Sequence, residues 1–134
     1  MLTVVVVYAV TAVVFLALDA LMLGFVMRPL FERHIGHLLM DNIRYGAAAA
    51  FYLAYLAGLV WLVSLPALRD GTNMQALVAG MVIGAMAYGT YEFTSYAIMR
   101  DWHPAMVAAD LAWGTVLTGV SAWAGVAVTR AILA

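Results

Sequence analysis

The sequence contains no cysteine and no lysine, and only 10% of its 134 residues are charged. The absence of cysteine excludes disulfide bonds, thiolate catalysis and thiolate metal sites. Six arginines stand against seven acidic residues, so the net charge is −1 and no basic surface for nucleic acid is available. Soluble domains carry about 25% charged residues. Most of this surface is therefore not adapted to water.

What the chain has in abundance is apolar side chains, which make up 67% of the residues and give a mean hydropathy of +1.02. They form four runs, each long enough for the roughly 20 residues that cross a bilayer. The runs predict helices at about 3–27, 43–66, 74–99 and 104–130 in a single domain, 1–134. The first run has no basic residue before it and is too long for a signal peptide, so we expect it to be retained.

The segment 30–42 differs from the four runs because charged residues and histidines alternate with apolar ones at helical spacing. Proline lacks the backbone donor that a helix needs, so Arg28-Pro29 is predicted to end the first helix. The segment then predicts a short amphipathic helix at the membrane interface, with a polar loop as the alternative. The predicted fold is an all-α integral membrane protein, a four-transmembrane-helix antiparallel bundle with this interfacial helix between helices 1 and 2.

The arginines predict the orientation of the bundle. Four of them (Arg28, Arg33, Arg44 and Arg100) lie on one predicted side, and two (Arg69 and Arg130) lie on the other. Cytoplasmic loops carry the excess of basic residues. We therefore expect both termini to lie outside.

Three acidic residues interrupt the apolar runs at a similar depth. Asp19, Glu92 and Asp110 each lie eight or nine residues from the same end of the bundle, which is roughly 12–14 Å at about 1.5 Å per residue. Tyr52 falls at the same level. We call these four residues the acid layer, and the antiparallel arrangement predicts that they face one another.

No basic residue lies within any predicted helix core to balance these carboxyls. An isolated charge at that depth costs at least about 2.5–3.5 kcal/mol, and like charges in one site cannot all remain ionised. The layer is therefore expected either to hold a proton, with Glu92 as the preferred carrier, or to bind an external cation. The competing interpretation is that these groups only hydrogen-bond and set helix register, at roughly 0.6 kcal/mol per contact. The candidate ligand or proton site comprises Asp19, Tyr52, Tyr88, Tyr91, Glu92, Ser95, Asp110 and Trp113.

Metal and cofactor signals are weak. His34, His37 and His103 are metal-ligating residue types on one side of the membrane, but polar residues are common in interfacial segments. No buried acid is followed by histidine three residues on, as a di-iron bundle requires, and no histidine lies inside a predicted helix as a haem ligand. No metal and no cofactor is predicted. Trp61 and Trp102, near helix ends, fit an aromatic belt.

Six stretches carry a family resemblance. They are LALDALMLGF in helix 1, Pro29 to Leu39, YGAAAAFYLAY in helix 2, Pro66-Ala67, YGTYEFTSYAIMRDW at the third turn and DLAWGTVLTG in helix 4. Together they resemble a family of small bacterial predicted membrane proteins, the domain of unknown function 2177 family, over the full length. The YGTYEFTSYAIMRDW stretch is the most specific.

The resemblance implies four helices in a bacterial cytoplasmic (inner) membrane, with lipid as the surroundings, and it supplies no activity. The chain differs from the family pattern in carrying Glu92 in place of aspartate, which keeps a carboxylate, and Ser95 in place of asparagine, which loses an amide. The resemblance also implies that several positions belong to motifs, namely Asp19, Tyr91, Glu92, Thr94, Trp102, Asp110, Trp113 and Gly114.

Three functions fit these features. The preferred one is binding or transport of a small apolar or proton-coupled ligand at the acid layer, in a homo-oligomer. The second is an accessory or assembly subunit of a larger membrane complex, for which Gly80 and Gly84 would supply a close-packing face. The third is a lipid-modifying membrane enzyme with Glu92 or Asp110 as general acid or base. Because no nucleophile or cofactor motif supports the third, an enzyme is not favoured and no catalytic residue is assigned.

Overall fold

The computed structural model describes residues 1–133, which form four long helices joined by short connections. The helices are α1 (Leu2–Leu38), α2 (Tyr45–Asp70), α3 (Asn73–Ile98) and α4 (Pro104–Leu133), each long and apolar enough to cross a membrane. No strand occurs among the described residues. The predicted all-α membrane architecture of four helices is thus confirmed.

Local signals account for where α3 and α4 begin. Thr72 and Gln75 form a reciprocal capping box at the start of α3, with distances of 3.0 and 3.1 Å between side-chain oxygen and backbone nitrogen. At the start of α4, Pro104 takes the first helical position, where its missing donor is harmless. The Nδ1 atom of His103 accepts a hydrogen bond from the Ala105 backbone nitrogen at 3.0 Å and so caps the helix.

Two prolines lie inside helices rather than at their ends. Pro29 and Pro66 each follow a π-helical turn, Leu23–Met27 in α1 and Val60–Ser64 in α2. A wider turn accommodates the proline ring and the lost backbone donor, as membrane helices permit. The predicted end of helix 1 at Arg28-Pro29 is therefore corrected, since α1 continues through Pro29 to Leu38.

The short helix predicted at 30–42 is present up to Leu38, but it is continuous with α1 and does not form a separate element. Its helical part, up to Leu38, is the continuation of α1, and only residues 39–44 form an irregular connection. The buried Ile35 packs with Trp102 and Met106. The rings of Phe31 and Trp102 form a T-shaped pair with 5.5 Å between their centroids. The segment thus folds against the turn between α3 and α4 because its apolar residues find a buried partner there.

The most extensive helix–helix interface joins α3 to α4. Gly80 and Gly84 of α3 face α4 so closely that a Cβ atom on Gly84 would overlap the Gly114 carbonyl oxygen, and one on Gly80 would lie 2.9 Å from the Thr118 carbonyl oxygen. Gly119 of α4 makes the same close approach to the α3 backbone. Gly80 and Gly84 therefore serve a contact within the chain, and they are not a free face for a partner.

The larger of the two apolar core clusters fills the half of the bundle near Gly71. Phe15, Leu56, Leu59, Leu117 and Val126 are almost completely buried there. The N-terminal half of α2 does not share this core, because residues 45–51 are all exposed. The four helices therefore pack tightly at the end near Gly71, whereas at the opposite end α2 stands apart from the other three.

Arg130 ties the tightly packed end together. Its guanidinium donates to the Asn73 side chain at 2.5 Å and to the carbonyl oxygens of Ala67 and Gly71 at 2.5 and 2.7 Å. These carbonyls belong to the end of α2 and its turn, where helix acceptors lack backbone partners. One side chain of α4 thereby links the end of α2 to the start of α3.

We predict that Gly84→Ala lowers the free energy of unfolding in detergent by about 1–3 kcal/mol, because the added methyl group forces α3 away from α4. Gly58→Ala is the matched control, since a Cβ atom at Gly58 meets nothing within 4 Å. It should leave stability unchanged or raise it by up to about 1 kcal/mol through helix propensity. Equal effects of the two substitutions in a denaturant titration would contradict this account of the interface.

Candidate functional site

A cavity of about 1150 Å³ occupies the half of the bundle where α2 stands apart. All four helices contribute to its wall, together with the connection between α1 and α2. The lining residues are Asp19, Leu23, Gly24, Met27, Arg28, Phe31, Glu32, Gly36, Leu39, Met40, Asp41, Ile43, Tyr45, Ala48, Phe51, Tyr52, Tyr55, Ala87, Tyr88, Tyr91 and Asp110. The cavity therefore runs from the acid layer outward to the end of the bundle that carries Arg28 and Asp41.

The π turn of α1 forms part of this wall. Leu23, Gly24 and Met27 belong to the turn, and all three line the cavity. A Cβ atom at Gly24 would meet nothing within 4 Å. The proline-induced turn thus leaves open space beside the acid layer.

Asp19 is held at the inner end of the cavity by an indole. It is only 6% exposed, and its Oδ1 accepts a hydrogen bond from Trp113 Nε1 of α4 at 3.2 Å. The phenol of Tyr52 lies beside the same carboxyl, and the carboxyl of Asp110 is near enough to interact with it through charge. Three helices therefore place polar groups around one point.

Glu92 lies behind Asp110 and is completely buried. Its Oε1 accepts a hydrogen bond from Trp102 Nε1 at 3.0 Å, while its Oε2 has no hydrogen-bond partner. The Asp110 carboxyl is its neighbour. A buried acceptor without a partner is rare and costly. Two adjacent carboxyls of this kind can hold a shared proton or an external cation.

Aromatic rings surround the carboxyls. Tyr52, Tyr55, Tyr88 and Tyr91 all line the cavity. The Tyr55 hydroxyl is hydrogen-bonded to the Thr118 hydroxyl at 2.9 Å, and the Tyr88 ring occupies the space left by Gly114, where a Cβ atom would overlap it. These contacts fix two of the four rings. The cavity wall therefore combines four tyrosines with the carboxyls of Asp19 and Asp110.

The outer end of the cavity is charged and more open. Arg28 donates to Glu32 Oε1 at 2.9 Å, and both side chains are mostly exposed. Asp41 lies on the irregular connection at the same end. Since Arg28 is already paired with Glu32, it does not balance the carboxyls deeper in the cavity.

The structure brings most of the predicted site residues together. Asp19, Tyr52, Tyr88, Tyr91 and Asp110 line the cavity. Glu92 and Trp113 stand behind this wall, in contact with the lining acids. Ser95 does not line the cavity, although it is buried on the same face of α3. The site therefore has two tiers, with Asp110 between the cavity and Glu92.

Trp102 is the residue that sequence reasoning misjudged. Its position near a helix end suggested an aromatic belt, but it is 6% exposed and bonded to Glu92. Trp61, by contrast, is 71% exposed, as expected for a belt residue. The signal available in the sequence was the family resemblance, which already placed Trp102 beside Glu92 in one motif.

The three histidines do not converge on one point. The rings of His34 and His103 are stacked, with 4.1 Å between their centroids. Because the nitrogen lone pairs lie in the ring planes, those of the two stacked rings do not converge on a common point. His37 Nε2 lies 3.1 Å from an Asp101 carboxylate oxygen. Among residues 1–133, no group of three histidine or acidic side chains is placed to hold a metal ion. Their contacts instead join the end of α1 to the turn before α4.

Comparison with known proteins agrees with the resemblance drawn from the motifs. A family model described as predicted membrane protein (DUF2177) matches residues 4–127. No curated protein and no solved structure matches the chain.

We predict that Trp102→Phe lowers the free energy of unfolding by about 1–3 kcal/mol, because it leaves both oxygens of the buried Glu92 without a partner. Trp61→Phe removes an indole from an exposed position and should change little. The double variant Trp102→Phe/Glu92→Met removes both partners, so it should cost less than the sum of the single changes. Additive losses in a double-mutant cycle would show that the two side chains are not coupled.

Proposed function

We propose that this chain, which belongs to the DUF2177 family of predicted membrane proteins, binds a small and largely apolar ligand in the cavity beside the acid layer. The observation that carries the proposal is the cavity itself. Its volume of about 1150 Å³ lies just above the roughly 300–1,000 Å³ of typical small-molecule sites, so it has room for such a ligand. Such sites combine apolar walls with a few convergent polar groups, which is the composition found here.

The energetics of the acid layer support a binding role over a purely structural one. Glu92 Oε2 remains without a hydrogen bond, and Asp110 faces the cavity instead of the core. A layer that only set helix register would be stabilised by satisfying all of its buried acceptors. The layer here keeps an unused acceptor directly behind Asp110 of the cavity wall, which favours a ligand or an exchangeable proton as the missing partner.

The shape of the cavity suits a ligand that partitions into lipid. Tyr45 and Phe51 of α2 are 71% and 70% exposed, and both also line the cavity. Because α2 stands apart there, the cavity is accessible past its N-terminal half. An apolar molecule in the bilayer could therefore reach the acid layer without crossing the tightly packed half of the bundle.

The accessory-subunit alternative loses its main support. That hypothesis used Gly80 and Gly84 as a face for a partner helix, and both glycines are covered by α4. The cavity offers a specific observation for ligand binding, and no comparable feature favours a larger complex.

We further propose the orientation in which both termini lie outside a bacterial cytoplasmic membrane. The four-to-two arginine bias supports it, since Arg28, Arg33, Arg44 and Arg100 lie at the cavity end and Arg69 and Arg130 lie at the opposite end. In that orientation the outer end of the cavity faces the cytoplasm.

The proposal predicts that the chain retains a small non-protein molecule through mild extraction, and that Gly24→Leu abolishes retention. Gly24 lines the cavity and has open space beside it, so leucine would occupy the ligand volume without a clash. Gly58→Leu is the matched control, because Gly58 also has open space but does not line the cavity. Native mass spectra should show a constant added mass on the wild type and the control only. A bare wild-type chain, or an added mass that survives Gly24→Leu, would overturn the proposal.

The orientation can be tested directly because the chain contains no cysteine. Asp41 and Asp70 are both exposed and lie at opposite ends of the bundle, so Asp41→Cys and Asp70→Cys form a matched pair. In intact cells, a membrane-impermeant maleimide should label Asp70→Cys and spare Asp41→Cys until the membrane is opened. The reverse pattern would invert the proposed orientation.

A further inference from the structure

The residues of the cavity also indicate the charge of the ligand. We infer that the site selects an organic cation, a molecule with an apolar body and a positively charged nitrogen or phosphorus centre. This inference rests on the proposed function, since it assigns a ligand class to the same cavity.

The first argument is the balance of charge around the cavity. Four acidic residues line it (Asp19, Glu32, Asp41 and Asp110), against a single basic residue, Arg28. Arg28 is already paired with Glu32 at 2.9 Å at the outer end. No basic side chain is left for Asp19 and Asp110 at the inner end. An anionic ligand would make ionisation of these carboxyls still less favourable, whereas a cation would supply the missing countercharge.

The second argument is the aromatic wall. Tyr52, Tyr55, Tyr88 and Tyr91 line the cavity together with the two inner carboxyls. Tyrosine rings attract cations through their quadrupoles, and the attraction grows when the cation is desolvated. Rings next to carboxyls, within lipid, combine both forces at one place. A neutral apolar ligand would need neither the carboxyls nor the surplus of phenols.

The third argument is the second tier behind the wall. Glu92 is completely buried next to Asp110, and its Oε2 has no hydrogen-bond partner. A negative charge on either carboxyl of this pair is disfavoured while no cation is present. A ligand cation at Asp110 would add the positive charge that stabilises the ionised form, beyond the single indole hydrogen bond that Glu92 accepts from Trp102. The pair therefore responds to the charge of whatever occupies the cavity.

The test compares two ions of nearly the same shape and opposite charge. Tetraphenylphosphonium and tetraphenylborate are titrated by equilibrium dialysis against the full chain in a non-ionic detergent. We expect the cation to bind at least about tenfold more tightly than the anion, since a charge pair withdrawn from bulk water is worth more than the roughly 1.4 kcal/mol that corresponds to a factor of ten. Asp19→Asn and Asp110→Asn should each weaken cation binding by about tenfold or more. Asp70→Asn, which removes the same charge far from the cavity, should have no effect.

Asparagine at position 19 keeps an oxygen that can accept the Trp113 hydrogen bond, so the fold is expected to survive. If a variant does not fold, the comparison of the two ions on the wild type still tests the cation inference. Equal binding of both ions, abolished by Gly24→Leu, would overturn the cation inference and leave the cavity as a binding site. Binding of neither ion would overturn the cation inference, while an added native mass lost in Gly24→Leu would still support the cavity. If Gly24→Leu changes neither ion binding nor the native mass, the proposed function fails as well.

The same cationic chemistry could come from a free amphiphile or from a lipid headgroup with an amine. Adding phosphatidylethanolamine to the dialysis separates these sources. Loss of tetraphenylphosphonium binding would identify the lipid amine as the ligand of the cavity, and unchanged binding would identify a free cation as the ligand. Either result supports a cationic ligand.

Discussion

The close approach of α3 and α4 is the contact on which the rest of the structure depends. Lipid provides no hydrophobic force between helices, so small residues that allow tight van der Waals packing take its place. Gly80 and Gly84 lie so close to α4 that an added Cβ atom would meet the carbonyl oxygens of Thr118 and Gly114. With the two helices fixed in this register, Glu92 necessarily lies beside Asp110, and Trp102 in the turn reaches back to Glu92. The pairing of Glu92 with Asp110 in the acid layer thus depends on the glycine contact.

The sequence allowed the four helices to be predicted because each apolar run is long enough to span a bilayer and ends at charged or turn-forming residues. The depth of Asp19, Tyr52, Glu92 and Asp110 followed from the same lengths, because helical rise is constant. The end of α1 was predicted wrongly. Pro29 stops a helix in water, but a preceding π turn can absorb it inside a membrane helix, and no single-sequence pattern distinguishes these outcomes.

The cavity could not be predicted, because it arises from the angle between helices and not from their composition. The exposed N-terminal half of α2 has the same alanine-rich, aromatic character as a packed helix. Trp102 was missed for a related reason, since a tryptophan at a helix end resembles a belt residue until the fold of α1 over the turn is known. In both cases the missing information was the contact between elements distant in sequence.

The contacts of Arg130 determine which end of the bundle is closed. Its three hydrogen bonds join the ends of α2, α3 and α4 at the side where the core is tightly packed. The cavity within the bundle is therefore open at one end and closed at the other. A molecule that enters must leave by the same route unless the Arg130 seal breaks. A path from the cavity to that closed end would require a second conformation, in which the arginine releases Ala67 and Gly71.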